Sequence, residues 1–265
     1  MILFVFEGCK DEPKIYATIK ALYFEKESED IKYIFNSNIY GLYDIIMKEY
    51  SDFNGIDDVA DVVSILRKIH PDSDLKNIER SSEIDQIFYF FDYDFQQVFH
   101  EKERHPSDSL KKCMEINNDK VRKMLNFFHN ETEMGKLYIN YPMVESLKFT
   151  KHLPDSQYNS YQVTLNECHG KFKGMAEQFT DYHSYHGLLI EDTIDKEIIS
   201  KNWQKLKEQN IKKANFLCTG EDSSPENKEA ISQNRIYQSQ LNKYNTDAHI
   251  GILNSFPLFL YDYFK

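Results

Sequence analysis

Two short acidic segments, each closing an apolar run, hold the residues of this chain best suited to chemistry. Glu7-Gly8 follows the run Ile2–Phe6, and Asp92-Tyr93-Asp94 follows the run from Gln86 to Phe91. A D-x-D sequence on extended backbone sends both carboxylates to the same side, because side chains alternate with period two. Carboxylates gathered in one place repel one another unless a cation sits among them. All-oxygen donors of this kind select Mg²⁺ or Mn²⁺ over Zn²⁺. Glu7, Asp92 and Asp94 are therefore the expected metal ligands and catalytic acids, and the expected chemistry is phosphodiester cleavage. Either motif alone would be an ordinary pair of solvated acids; both together, flanking one structural unit, point to a centre.

For the two motifs to meet, their runs must be parallel strands that end at one rim. Ile2–Phe6 shows no polar alternation, as expected of a strand covered on both faces. Gly8 then permits a tight turn and a close backbone approach. Pro13 suits the first turn of a helix over 13–26, with Ile15, Ile19, Leu22 and Tyr23 on its apolar face. A second strand is expected over 31–36. Helices are expected over 39–50 and 57–69, the latter stopped by Pro71. A third, strongly apolar strand covers 84–91. This alternation predicts an α/β fold with a parallel, helix-flanked sheet, whose ligands bind beyond the carboxyl ends of the strands. Downstream, 96–108 reads as a charged loop, 109–129 as a helix and 135–140 as a fourth strand. Pro142 then opens a helix whose first turn holds Glu145, where the helix dipole favours a carboxylate.

Beyond position 155 the pattern turns polar and mainly helical, over 171–186, 195–213 and 224–244, with a last short strand at 248–253. The segment 256–264 is too apolar for a free tail and is expected to pack on the core or a partner. The expected organisation is a catalytic domain over 1–153, with a helical insertion at about 105–131, followed by a mainly helical region over 154–265.

Composition narrows the function classes. The chain has 265 residues, 41% hydrophobic and 14% aromatic, enough for a substantial core. Its net charge of −11 argues against a protein that coats nucleic acid through Lys and Arg, but not against a nuclease that uses metal ions and local basic patches. Cys9, Cys113, Cys168 and Cys218 form no C-x-x-C pair, which argues against a zinc site. No signal peptide or membrane span is evident, so a cytoplasmic protein with reduced thiols is expected. Asp181, His183 and His186, and Cys168-His169, lack a further ligand at metal spacing and read as ordinary residues. No Walker A, G-x-G-x-x-G or G-x-S-x-G sequence is present, so no ATP hydrolysis is expected of this chain.

Glu7-Gly8 and Asp92-Tyr93-Asp94, on either side of one strand–helix unit, resemble the TOPRIM domain of topoisomerases, primases and OLD-family nucleases. The run EGCKDEPKIY also resembles the opening of RloB-like proteins, and Asn140-Tyr141-Pro142-Met143-Val144-Glu145 is similar to their later N-P-x-F-E motif, with one extra residue between Asn and Pro. The resemblance covers roughly 1–150. It implies a TOPRIM-like (Rossmann-like) sheet and a metal set of Glu7, Asp11, Asp92, Asp94 and Glu145, with Glu12 as the alternative to Asp11. It leaves open whether one or two Mg²⁺ or Mn²⁺ ions bind, and whether Glu7 acts as a general base or acid. Lys136 or Lys148 could offset transition-state charge. By the same resemblance the chain is expected to be an effector of anti-phage defence that cleaves DNA or RNA, tRNA included, with a separate ABC- or SMC-type ATPase as partner. A homo-oligomer is left open. The alternative is a non-catalytic interaction subunit built on the same fold.

Overall fold

The computed structural model describes residues 1–24, 31–52, 61–93, 95–179, 187–190 and 194–264. In chain order the elements are β1 (Ile2–Phe6), α1 (Glu12–Tyr23), β2 (Ile31–Ile34), α2 (Ile39–Asp52), α3 (Val62–Ile69) and β3 (Gln86–Asp92). Next come α4 (Gln96–Arg104), α5 (Leu110–Phe127), β4 (His129–Asn130) and β5 (Gly135–Asn140). The last third holds β6 (Gln162–Thr164), α6 (Leu165–Cys168), α7 (Phe172–Phe179), α8 (Lys196–Thr219), α9 (Gln233–Asp247), β7 (His249–Gly251) and α10 (Ser255–Tyr263).

The main sheet has five strands in the order β2-β1-β3-β5-β4. β1 pairs in parallel with β2 and β3, and β3 in parallel with β5; only β4 runs antiparallel. Every residue of β1 is buried, as its unbroken apolar run requires of a strand covered on both faces. Alternation divides the core. Ile2, Phe4, Phe6, Phe88 and Phe90 face α1, α8 and α10, whereas Leu3, Val5, Tyr89, Phe91 and Ile139 face α2, α3, α5 and α9. Both layers draw on residues before and after position 153. The apolar tail forms α10, whose Phe256 ring stacks on Phe90 with centroids 4.7 Å apart and planes 6° apart. Phe259 meets Phe88 at 5.0 Å. No described helix is long and apolar enough to cross a membrane.

Several boundaries depart from the sequence expectation. The charged segment 96–108 contains helix α4, whose apolar side is only the buried Val98 and the half-buried Phe99, too little to show as a stripe among its charged residues. The helix of the expected insertion is α5, confined to Leu110–Phe127. Pro142 opens no α-helix; a 3₁₀ turn over Val144–Lys148 follows instead. β3 extends through Asp92, so that residue is the strand's last rather than the first beyond it.

Candidate functional site

β1, β3 and β5 end at a common rim. Their register sets Phe6 beside Phe90 and Asp92 beside Asn140. Past the end of β1, Glu7 donates its backbone N–H to Phe90 O at 3.2 Å. Its Oε2 accepts the backbone N–H of Asp92 at 2.8 Å. The two acids expected to meet are thus joined across 85 positions of sequence. Asp94 lies outside the described residues, as do Asp181, His183 and His186.

Asn140 fixes the Asp92 carboxylate. Its amide N–H donates to Asp92 Oδ1 at 2.9 Å, while its carbonyl accepts from Ser255 N at 2.9 Å and Ser255 Oγ at 2.7 Å. Asn140 and Ser255 are both buried. The neighbouring Asn254 caps α10 and donates to Val144 O at 3.1 Å and Ser146 Oγ at 2.9 Å, on either side of Glu145 in the chain. The start of the C-terminal helix therefore holds both Asp92 and the turn that carries Glu145. Sequence reasoning missed this support because its two halves are more than 100 residues apart. The legible trace was an Asn closing an otherwise apolar strand.

Asp11 and Glu12 divide the role expected of Asp11. Asp11 precedes α1 and turns to Lys148, whose ammonium lies 2.8 Å from Asp11 Oδ2. Glu12, in the first helical turn, is buried, and a Cβ on Gly8 would lie 2.1 Å from Glu12 Oε1. Glycine at position 8 is thus what lets this carboxylate lie against the loop. Burial pushes the Glu12 carboxyl up, backbone N–H donation from Glu12 itself and from Gly8 pulls it down, and the negative field of Glu145 raises it further. Glu145 is buried; its Oε1 lies 2.8 Å from Lys173 Nζ, and its Oε2 has no hydrogen-bond partner among the described residues. Desolvation lowers the Lys173 ammonium's pKa, but the hydrogen bond to Glu145 and the fields of Glu145, Asp92 and Glu12 outweigh it and leave the pKa raised. Lys173, on α7, thus shares a neighbourhood with three acids and had no sequence signal. Lys136, the other candidate for offsetting charge, pairs with Asp262 at 2.5 Å and sits near the start of β5, away from the rim. Cys168 is buried and the His169 ring packs 3.9 Å from Phe99.

For a hard divalent cation, the all-carboxylate donor set and the orphaned, buried Oε2 of Glu145 fit. Among the described residues, however, no three His, Cys, Asp or Glu side chains form a group that could hold a metal ion. In this arrangement lysine ammonium groups neutralise Asp11 and Glu145.

Compared with models of protein families, with curated proteins and with solved structures, the chain matches none.

Proposed function

We propose that this chain is a metal-dependent nuclease with a TOPRIM-like centre, hydrolysing phosphodiester bonds in DNA or RNA. The observation that carries the reading is the Glu7–Asp92 contact: the carboxylate just past β1 accepts the backbone N–H of the last residue of β3 at the carboxyl rim, and a buried amide from β5 holds the Asp92 carboxylate. Glu7, Asp92 and Glu145 would hold the ion together with Asp94, which follows Asp92 in the chain; the described acids alone form no group of three, so the reading requires a further ligand or displacement of Lys173 from Glu145. A bound Mg²⁺ or Mn²⁺ would polarise the phosphate and lower the pKa of an attacking water. The chain's own part is to orient: Asn140 fixes one Asp92 oxygen, and the Asp92 N–H fixes one of Glu7. Lys173 and Lys148 supply positive charge near the place where a phosphate would sit. A role as defence effector beside a separate ATPase rests on the sequence resemblance alone.

The test is cleavage of plasmid, single-stranded DNA and tRNA with Mg²⁺ or Mn²⁺, by the chain alone and with the product of any ATPase gene found beside its own. Glu7→Ala and Asp92→Ala should each abolish it; cleavage that survives both sinks the reading.

The second reading, a non-catalytic interaction subunit, draws on a specific observation: Lys148 and Lys173 already occupy Asp11 and Glu145. On that reading Lys173→Ala exposes an uncompensated acid and creates no Mn²⁺ affinity. On the nuclease reading the same substitution removes a competing cation and tightens Mn²⁺ binding.

A further inference from the structure

Beside the rim, on the α1 side of β2, lies an aromatic groove that the carboxylate centre does not use. It has a volume of about 640 Å³ and is lined by Pro13, Tyr16, Lys20, Phe24, Tyr33 and Phe35, among others. The rings form a continuous set. Tyr16 and Tyr33 are 5.0 Å apart, Tyr33 and Phe35 5.1 Å, and Phe35 stacks on Phe6 at 5.1 Å with 21° between planes. Phe6 is the residue before Glu7, and Asn36, next to Phe35, donates its N–H to Gly8 O at 3.3 Å. The aromatic surface therefore runs directly into the acidic rim.

Three features say what it would take. Tyr33 is 37% exposed at the sheet edge, so part of its ring is open to solvent. Tyr16, 7% exposed, supplies an apolar floor behind Tyr33, its hydroxyl being itself buried and out of a ligand's reach. On its α1 side the groove is locally basic: Lys20 lines it, Lys14 of the same helix and Lys10 just before it are exposed, and Glu12, the one acid of α1, is buried, while Asp72 and Asp74 lie on the far side of Tyr33 and Phe35. In a chain of net charge −11, this is a surface that phosphates can approach.

We propose that this groove seats an unpaired nucleobase of a single-stranded segment, stacked on Tyr33 and Phe35, with the strand leading on to the carboxylate rim. Aromatic faces accept any base, so the preference is for single-stranded form over sequence. The proposal rests on the nuclease reading for the strand's direction, but its binding step stands apart from cleavage. Few cations contact the strand, so affinity should fall only shallowly with salt.

The test uses the full chain in EDTA with single-stranded oligonucleotides containing 2-aminopurine, whose fluorescence is quenched when it stacks on an aromatic ring. The expected result is quenching on binding by the wild type. Tyr33→Trp should keep it, and Tyr33→Ala should lose it with an affinity about tenfold weaker. Lys20→Glu should weaken binding without abolishing the quench, and a fully paired duplex of the same sequence should bind at least tenfold less well. Circular dichroism melts confirm that each variant is folded. No binding by the wild type, or unchanged affinity in Tyr33→Ala, overturns the proposal. So does a Tyr33→Ala chain that binds the oligonucleotide normally but loses self-association in sedimentation, since the groove would then seat a second copy. Cleavage that depends on Asp92 but ignores Tyr33 sinks the groove and leaves the nuclease reading. Quenching that depends on Tyr33, with no cleavage of any substrate, does the reverse.

Discussion

Gly8→Ala is the most specific perturbation the rim offers. The added methyl would lie 2.1 and 2.4 Å from the two Glu12 carboxylate oxygens, too close for either to stay. The backbone at Gly8 is not in the left-handed region, so the conflict is with the Glu12 side chain. Because the far end of a side chain can move, the cost is set by what Glu12 loses. Two backbone N–H groups, from Gly8 and Glu12, donate to its carboxylate. Hydrogen bonds to a charged group contribute about 1.5–3 kcal/mol each, or roughly 3–6 kcal/mol together. Moving the carboxylate into water recovers its burial penalty, which exceeds what those hydrogen bonds return because the Glu12 pKa is raised, and alanine restricts the unfolded chain by about 0.4–1 kcal/mol. What is lost is the packing of the displaced side chain against the loop, and the net expectation is a loss of about 1 kcal/mol. In a Glu12→Ala background the obstacle is gone, and Gly8→Ala should be neutral or stabilise by about 0.5 kcal/mol. Urea unfolding of all four chains at pH 7 in EDTA gives the coupling. Equal costs in the two backgrounds would refute the contact.

Three further outcomes follow from the same geometry. Glu12 has a raised pKa, so its ionisation costs the folded state. That penalty is absent well below the ordinary value of 4.5, grows as pH rises through 4.5 toward the folded value, and is constant above it. Glu12→Gln should therefore gain stability relative to wild type between pH 4 and pH 7 in metal-free urea titrations; a pH-independent difference would be wrong for this account. Asn140→Ala strips Asp92 of a donor and leaves the buried Ser255 N–H unpartnered, so denaturant unfolding should show a loss of about 3 kcal/mol, and cleavage should fall with it. Phe256→Ala opens a cavity under the stacked Phe90 and should cost about 3–5 kcal/mol in the same assay, whereas a cost under about 1 kcal/mol would mean that α10 is not held by this packing.

How much of this was legible in the sequence varied with the kind of signal. The strands Ile2–Phe6 and Gly135–Asn140 stood out because an apolar run between polar or glycine boundaries has few other solutions in a sheet covered on both faces. β3, expected over 84–91, begins two residues later and ends one residue later, because a terminal aspartate looks like a loop residue while its pairing with Asn140 keeps it in the strand. α4 was invisible because Val98 and Phe99 alone are too few apolar residues to show a stripe. Among the acids, Glu7 and Asp92 were predictable from where their strands end. The division between Asp11 and Glu12 was not, since adjacent residues at a helix start point about 100° apart and only the tertiary neighbours, Lys148 and Gly8, decide which turns inward. The braces from Asn254 and Ser255, and the Lys173–Glu145 pair, are long-range contacts with no local pattern.

The central claim is that the rim formed by Glu7, Asp92 and Glu145 holds a divalent cation. Titration of Mn²⁺ followed by the electron paramagnetic resonance of the free ion tests it without reference to substrate. Binding by the wild type is expected, weakened tenfold to a hundredfold or more in Asp92→Asn and in Glu145→Gln, and strengthened in Lys173→Ala. Undiminished free-ion signal with the wild type, or equal binding by wild type and Asp92→Asn, would contradict it.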